Sequence, residues 1–318
     1  DEGDELPTGL AIATSNDQAL RAIGPDTAVG GTAWLWSRDD AAGTLDTLIV
    51  DEAGQMSLAQ VLAVSRAARN LILLGDPQQL QQPQQGTHPE GADAAALLHI
   101  LGGGKTIADD RGLFLDETWR LAPPIAAFTS ELYYEGRLLA HAGLDRQEIL
   151  GNSPFAGSGL FVVPVAHEGN QSSSPEEVDA IDAIVDSLLG SGLEWRDRDG
   201  VVRPLEPGDI LIVSPYNAQV FALQERRPTM RIGTVDRFQG QEAPIVIYSM
   251  AVSAPEDAPR GMSFLYEPNR FNVATSRAKC AVILVASPRL FEPDCQSVAQ
   301  MRMANGIARF VELGHPSP

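Results

Sequence analysis

The chain has 318 residues, of which 44% are hydrophobic and 20% are charged, and its formal net charge at pH 7 is −19. The length predicts two domains of roughly 150 residues each, with enough apolar residues for two cores. The two cysteines exclude a disulfide scaffold and a cysteine-rich zinc domain, and no apolar run approaches the ~20 residues of a membrane span. The acidic balance excludes nucleic-acid binding over the whole surface but not in a narrow basic channel. A cytoplasmic protein without a membrane partner is expected.

The first half alternates short apolar runs with segments of helical spacing. The runs at residues 48–50 and 71–74 are typical of strands in a buried parallel sheet, and residues 58–68 have the spacing of a crossover helix. Further strands are predicted at 10–13 and 27–33, a loop at 78–91 and a helix at 125–134.

The second half continues this alternation. Ser174 is predicted to cap a helix that begins at Pro175, since both residues are favoured in those positions. The buried stripe of this helix is predicted to be Val178, Ile181, Ile184, Val185, Leu188 and Leu189. Strands are predicted at 160–165, 210–213, 231–235, 245–249 and 282–286, with a turn-rich excursion at 197–208. The pattern predicts an α/β protein with two doubly wound parallel-sheet domains, at residues 1–122 and 123–318.

Two acidic residues, Asp51 and Glu52, directly follow the apolar run at 48–50. An aspartate at a strand end suits a Mg²⁺ ligand, and a neighbouring glutamate suits a base that polarises an attacking water. A solvated surface turn is the alternative for this pair taken alone.

The run at 71–74 leads into the segment GDPQQL at residues 75–80. A glycine at a strand end lets the backbone approach a phosphate closely, and the amide of Gln79 can sense a γ-phosphate by hydrogen bonding. A glutamine-rich loop without this role is the alternative.

Two segments in the second half add a phosphate contact and an arginine. Thr234, at the end of a predicted strand, can donate its hydroxyl to a nucleic-acid phosphate. Glu242 can accept from a ribose hydroxyl or order a neighbouring arginine. Arg277 can stabilise charge on a transferring phosphoryl group, as an arginine finger does, although a surface arginine is more often simply solvated.

In this order, the segments DEAGQ, GDPQQL, VDRFQGQE and NVATSRAK resemble the superfamily 1 helicases. The similarity is greatest to the up-frameshift-like branch, superfamily 1B, whose motifs are D-E-[AS]-x-Q, G-D-x-x-Q-L, V-D-x-F-Q-G-x-E and N-V-A-x-[ST]-R-A-[KR]. ETWR with Pro123, ELYYEG and SPYNAQ resemble three further motifs, with Trp119 in place of the usual tyrosine and Ser214 in place of threonine. The resemblance covers about residues 30–290. The stretch before residue 91 is also similar to bacterial fusions of this helicase with a RecB-like nuclease.

The resemblance implies two RecA-like domains, the first incomplete, in an ATP-dependent helicase that uses Mg²⁺ and moves 5′→3′ along single-stranded nucleic acid, for which we favour DNA over RNA. It implies that Asp51 coordinates Mg²⁺, Glu52 activates water and Gln79 senses the γ-phosphate. Arg120 and Arg277 become the two arginine fingers. The implied cofactor-binding residues are Gln55, Gly75, Asp76, Gly240 and Glu242. The implied nucleic-acid-binding residues are Thr32, Pro215, Tyr216 and Thr234.

The phosphate loop of such motors, G-x-x-x-x-G-K-[ST], is not found in this sequence. The segment GGGKT at residues 102–106 does not fit, because His99 stands where the loop needs its first glycine and because the segment follows the acidic strand. The chain is therefore expected to be the C-terminal portion of a longer protein, with the phosphate loop and possible nuclease domain upstream, and to be inactive alone. A non-catalytic nucleic-acid-binding or regulatory module is the alternative.

Overall fold

A computed structural model describes residues 7–80 and 94–316 of the chain. Within these residues the first of two units comprises 7–77 and 94–104, and the second comprises 78–80 and 105–316. The predicted loop at 78–91 lies mostly outside the described residues. The predicted division into domains at residues 122 and 123 stays a prediction, since the compactness of a unit does not by itself define a domain.

The first unit contains one two-stranded parallel sheet and four helices. Its elements are α1 (Asn16–Arg21), α2 (Ala33–Trp36), β1 (Leu45–Val50), α3 (Leu58–Ser65), β2 (Ala68–Leu73) and α4 (Ala96–Leu101), with 3₁₀ turns at Asp39–Ala41 and Ala53–Gln55. β1 and β2 pair in register from Leu45 with Ala68 to Val50 with Leu73. The predicted strands at 48–50 and 71–74 and the crossover helix between them are confirmed.

A reciprocal cap fixes the start of the crossover helix. The Ser57 hydroxyl accepts from the backbone N–H of Gln60, whose side chain accepts from the backbone N–H of Ser57. The helix ends at Ser65, earlier than predicted, because β2 already begins at Ala68. The strands predicted at 10–13 and 27–33 are wrong: both segments are irregular and exposed, and no strand of the described chain pairs with them.

The second unit contains the remaining elements. They are β3 (Glu117–Thr118), α5 (Pro123–Tyr133), β4 (Leu139–Ala140), β5 (Glu148–Leu150), β6 (Gly159–Pro164), α6 (Pro175–Gly190), β7 (Glu194–Arg196), β8 (Val202–Pro204), β9 (Ile210–Val213), α7 (Asn217–Arg226), β10 (Arg231–Gly233), β11 (Ala243–Ser249), α8 (Met262–Leu265), α9 (Pro268–Thr275), β12 (Ala278–Ala286), α10 (Val298–Leu313) and β13 (His315–Pro316). Further 3₁₀ turns lie at Leu144–Arg146, Pro207–Asp209, Asp236–Phe238, Pro255–Asp257 and Pro288–Leu290.

A six-stranded parallel sheet with the order β10–β9–β11–β12–β6–β13 organises this unit. Alternate residues of its strands face opposite ways and enter two separate cores. Leu211, Val213, Val246, Tyr248, Val282 and Leu284 pack in one core with residues of α5, α9 and α10. Ile210, Ile212, Ile245, Ile247, Ile283 and Val285 pack in the other with residues of α6 and α7. Helices therefore cover both faces, which confirms the predicted doubly wound α/β fold.

The cap of α6 is as predicted: the Ser174 hydroxyl accepts from the backbone N–H of Glu177, and Pro175 is the first helical residue. The turn-rich excursion predicted at 197–208 instead contains β8, which joins β5 and β7 in a small antiparallel sheet. Each of these strands has only three residues, so their sequences give no alternating pattern to detect. Among the described residues, no helix combines the length and apolar character needed to cross a membrane.

Candidate nucleotide and nucleic-acid sites

The acidic turn after β1 is a compact backbone structure in the first unit. Asp51 and Glu52 are exposed, and the Asp51 carboxylate accepts from the backbone N–H of Glu52 at 3.0 Å. Glu52 itself has the left-handed conformation, with φ 53° and ψ 37°. The backbone N–H of Ala53 donates to the carbonyl of Leu74 at 2.7 Å. The turn is thereby tied to the segment that follows β2.

Two glycines let this turn and the segment after β2 touch. A Cβ on Gly75 would lie 2.8 Å from the backbone nitrogens of both Ala53 and Gly54, and a Cβ on Gly54 would lie 2.5 Å from the carbonyl oxygen of Asp76. Any side chain at either position would force the backbone apart. The predicted residues Glu52, Gly75 and Asp76 are therefore brought together at one end of the two-stranded sheet.

The side chains at this end of the sheet fit a magnesium–nucleotide group. The described residues hold no cluster of three or more His, Cys, Asp or Glu side chains able to bind a metal by itself. Mg²⁺ in nucleotide sites usually takes only one or two carboxylates, together with phosphate oxygens and water. Asp51 supplies one such carboxylate, and the amide of Gln55 lies 3.4 Å from the carboxylate of Glu52.

In the second unit, α9 holds the short segment at residues 78–80. The side-chain amides of Asn269 and Asn272 donate to the backbone carbonyls of Gln79 and Gln78 at 3.0 Å and 2.9 Å. The Arg277 guanidinium donates from Nη2 to the Gln79 side chain at 3.2 Å and from Nη1 to the carbonyl of Gln241 at 3.5 Å. The predicted γ-phosphate sensor and one predicted arginine finger are therefore in direct contact.

The other predicted arginine finger pairs with Glu242. Arg120 Nε donates to Glu242 Oε2 at 2.7 Å, and Lys279 Nζ lies 2.7 Å from Glu242 Oε1. Arg120 Nη1 also donates to the carbonyl of Ser276, beside Arg277. Of the two roles that the sequence left open for Glu242, ordering a neighbouring arginine is the one its contacts show.

The two cations also set the protonation of Glu242. Burial acts to raise the pKa of this carboxyl group, but the hydrogen bonds from Lys279 and Arg120 outweigh it and hold the pKa below its usual value. Gly240, two residues earlier, is exposed and has φ 77°, a conformation that favours glycine. Because Gly240 has no side chain, any contact that it makes with a nucleotide would use its backbone.

The segment GGGKT is a loop after α4. Lys105 Nζ donates to the carbonyl of Leu132 at 2.6 Å, and its backbone N–H donates to the Glu135 carboxylate at 3.3 Å. The hydroxyl of Thr106 donates to the same carboxylate. Hydrogen bonds from Thr106 and the Lys105 backbone lower the pKa of Glu135 despite some desolvation. The lysine and threonine are thus bound within the second unit, which supports the interpretation of this segment as an ordinary loop.

The predicted nucleic-acid residues divide by burial. Thr234 directly follows β10 and is partly exposed, whereas Pro215 and Tyr216 follow the adjacent strand β9 and are buried. Burial raises the pKa of Tyr216 to about 12 against the opposing charges of two nearby arginines. Thr32 is exposed in the first unit, where it precedes α2 without capping it through its side chain. A base could stack on Tyr216 only after the side chains over it had moved.

Sequence patterns did not predict the neighbours of two aromatic residues in the second unit, Trp119 and Tyr216. Trp119 stacks on His141 with ring centroids 3.4 Å apart, and the Arg198 guanidinium lies 5.7 Å from the Trp119 ring. Phe264 packs against Tyr216 at 5.4 Å. Aromatic residues close to arginines in a strongly acidic chain were the signal available for both residues.

A family model described as an AAA domain matches residues 104–289 of the chain. The chain is also 27% identical over 270 residues to the probable helicase MAGATAMA 3 of Arabidopsis thaliana, covering 78% of this chain and 31% of that protein. It is 26% identical over 253 residues to the regulator of nonsense transcripts 1 homolog of Drosophila melanogaster, covering 77% of this chain and 21% of that protein. Among solved structures, the arterivirus nonstructural protein 10 helicase aligns with a TM-score of 0.37 and 16% identity, over 74% of this chain and 38% of that one.

The chain thus spans about a third or less of the length of these two relatives. The family model covers more than half of the 318 residues. All of its matched residues except Gly104 lie in the second unit, where the six-stranded parallel sheet has the RecA-like arrangement. The chain belongs to the AAA domain family, and its similarity to these helicases supports a helicase-like domain.

Proposed function

We propose that this chain is the C-terminal part of an ATP-dependent helicase that moves 5′→3′ on single-stranded nucleic acid. The observation that carries the proposal is the contact between Arg277 and Gln79, which are 198 residues apart in the sequence. The Arg120–Glu242 pair is next to this contact. Arg120 donates to the carbonyl of Ser276, the neighbour of Arg277, and Arg277 donates to the carbonyl of Gln241, the neighbour of Glu242. Residues of four separate motifs meet in the second unit, as a site for a nucleotide phosphate requires.

The chemistry follows from the residue types. Arg120 and Arg277 present guanidinium groups, which bind a carboxylate and a phosphate in the same forked geometry. Arg120 can exchange Glu242 for a phosphate oxygen without changing the type of contact. The Gln79 amide would report on the same phosphate.

In the first unit, Asp51 would hold Mg²⁺ and Glu52 would accept a proton from the attacking water. When bound, Mg²⁺ neutralises the charge that develops on the phosphates. Gln55, Gly75 and Asp76 would shape the backbone around that group, since they lie on the two segments that touch there.

We propose that Thr234 and the ends of β9 and β10 contact the single strand, with Thr32 as the corresponding residue of the first unit. We favour DNA over RNA and a cytoplasmic location. We also propose that a longer protein contains this chain, with a phosphate-loop region and a RecB-like nuclease upstream. The exposed apolar face of the first unit's sheet supports additional chain there, since parallel sheets are normally covered on both faces.

A non-catalytic nucleic-acid-binding module is the second candidate. The observation in its favour is that the only lysine near a glycine run, Lys105, donates to the carbonyl of Leu132. In this case the contacts of Arg120 and Arg277 would serve only to stabilise the fold.

Arginine variants distinguish these two functions. The upstream coding sequence would be expressed together with this chain, and ATP hydrolysis would be measured with saturating single-stranded DNA and with RNA. Arg277→Ala and Arg120→Ala should each lower kcat by roughly 10³–10⁵ with little change in KM for ATP, because arginine fingers act on the transition state. Arg203→Ala, an exposed arginine remote in sequence from every motif, is the matched control. Hydrolysis at the unmodified rate in both finger variants would contradict the proposal.

A further inference from the structure

Three side chains surround the phenyl ring of Phe264 in the second unit. The Arg260 guanidinium carbon lies 3.8 Å from the ring centroid, and that of Arg270 lies 4.3 Å from it. The Tyr216 ring packs against the same phenyl at 5.4 Å. Arg260, Phe264, Arg270 and Tyr216 together are called the Phe264 cluster below.

Donors in the Phe264 cluster outnumber its acceptors. Among the described residues, the exposed guanidinium of Arg260 makes no hydrogen bond or ion pair. The buried Nη1 of Arg270 and the buried hydroxyl of Tyr216 have no partner there either. A guanidinium only donates, and a hydroxyl can donate. A ligand that satisfies this cluster must therefore bring acceptor oxygens.

The carboxylates near the Phe264 cluster do not supply acceptors for all of its hydrogen-bond donors. Glu267 is the only acid within ion-pair distance of Arg270 in the described chain, and that contact uses Nη2 at 3.4 Å. Burial raises the pKa of Glu267. The nearby charge of Asp236 also raises it, whereas the charges of Arg270 and Arg260 act to lower it. Glu256 is paired with Arg289 instead. Arg260 forms no ion pair within the described residues, so its guanidinium N–H groups can bind an external partner.

Stacking also prepares Arg260 for a phosphate. With its guanidinium carbon 3.8 Å from the Phe264 ring centroid, the Arg260 side chain has lost much of its rotamer freedom, and the fork of a guanidinium fits two phosphate oxygens. The cluster lies on Tyr216, which follows β9 three residues after its last residue, Val213. The end of β9 is the part of the sheet next to Thr234, since β9 and β10 are neighbours.

We propose that the Phe264 cluster binds a backbone phosphodiester of the single strand, with Arg260 as the principal contact. This inference rests on the proposed function and adds to it Arg260, Phe264 and Arg270, which lie outside the helicase motifs and surround Tyr216 of the SPYNAQ motif. Arg260 forms the bidentate contact at the surface, while Arg270 and Tyr216 pack against the same Phe264 ring. The cluster would give affinity without base specificity, because it touches only the backbone.

Binding of a fluorescent oligothymidylate to the full chain tests the site, measured by anisotropy over a range of salt concentrations. Arg260→Ala should weaken binding several-fold to about tenfold and reduce the salt slope by about 0.7, the value for one phosphate contact on a single strand. Phe264→Leu should weaken it less, because Arg260 keeps its charge but loses its platform. Arg203→Ala is the matched control, since Arg203 also lies over an aromatic ring, Trp195, but is paired with Asp197.

The outcomes separate the site from the proposed function. If the unmodified chain binds the strand and Arg260→Ala binds it as tightly as Arg203→Ala does, the site is wrong while strand binding stands. If the unmodified chain binds no single strand, both are overturned. A parallel titration with sodium tripolyphosphate alone checks the source of the phosphate. Tripolyphosphate that binds the unmodified chain but not Arg260→Ala, and that does not displace the strand, would assign the cluster to a nucleotide and overturn the strand assignment.

Discussion

Two parallel sheets in the described residues, the β1–β2 sheet of the first unit and the six-stranded sheet of the second, differ in how completely they are covered. In the second unit, Ile247 lies between Ile212 and Ile283 on neighbouring strands, and its exposure is 0%. In the first unit, Ile49 and Ile72 are paired on adjacent strands but are 59% and 45% exposed. The opposite face of that small sheet is buried through Leu48 and Val50. The second unit therefore buries both faces of its sheet, whereas the first unit buries one face of its sheet and exposes the other.

Alanine substitutions at matched isoleucines should show the largest difference. Ile247→Ala should lower the free energy of unfolding by about 2–5 kcal/mol, because it leaves a cavity in a closed core. Ile72→Ala should cost at most about 1 kcal/mol, because much of that side chain is already in water. Urea unfolding followed by circular dichroism measures both. Equal losses would mean that the small sheet's open face is covered in solution.

A polar contact in the second unit should contribute more to stability than a polar contact in the first unit. A double-mutant cycle of Gln79→Ala and Arg277→Ala should give a coupling of about 1 kcal/mol in the free energy of unfolding, because Arg277 is buried. The cycle of Glu52→Ala and Gln55→Ala, an exposed contact at 3.4 Å, should give about 0.3 kcal/mol or less. A larger coupling energy for the Glu52–Gln55 pair than for the Gln79–Arg277 pair would contradict this expectation.

The smallest effect concerns acid stability at Glu242. Its pKa is lower in the folded chain than the unfolded value of about 4.3. Ionised Glu242 therefore stabilises the folded state at neutral pH, and this contribution is lost as the pH falls through the lower, folded pKa. The melting temperature of Glu242→Gln should be below that of the unmodified chain near pH 7, and the difference should close in acid.

A charge control accompanies this measurement. Glu225→Gln removes one charge from an exposed position on α7 and should shift the melting temperature little at any pH. A Glu242→Gln difference that persisted in acid would mean that packing, not the ion pairs with Arg120 and Lys279, causes the loss.

The sequence predicted what local patterns determine. The apolar run at residues 210–213 has the bounds of β9, and Ser174 with Pro175 predicted the start of α6. The strands predicted at 10–13 and 27–33 failed because a strand needs a partner, which no local pattern supplies.

The site depended still more on distant parts of the chain. Motif spacing selected Arg120 and Glu242, but their pairing joins residues 122 apart in sequence. The packing of Tyr216 against Phe264 likewise depends on the short helix α8, which no motif marks. Residue types at strand ends were predictable, whereas their partners and exposure were set by tertiary packing.

The most direct test of the central claim is ATP hydrolysis by this chain alone, with saturating oligothymidylate and Mg²⁺. The chain provides the two proposed arginine fingers, the proposed γ-phosphate sensor and an acidic turn, but its sequence has no phosphate loop. We predict turnover far below 1 s⁻¹, which is about the lower limit for typical enzymes, with no stimulation by the strand. ATP turnover of about 1 s⁻¹ or faster that the strand stimulates would contradict the claim that hydrolysis needs a phosphate loop that this chain does not contain.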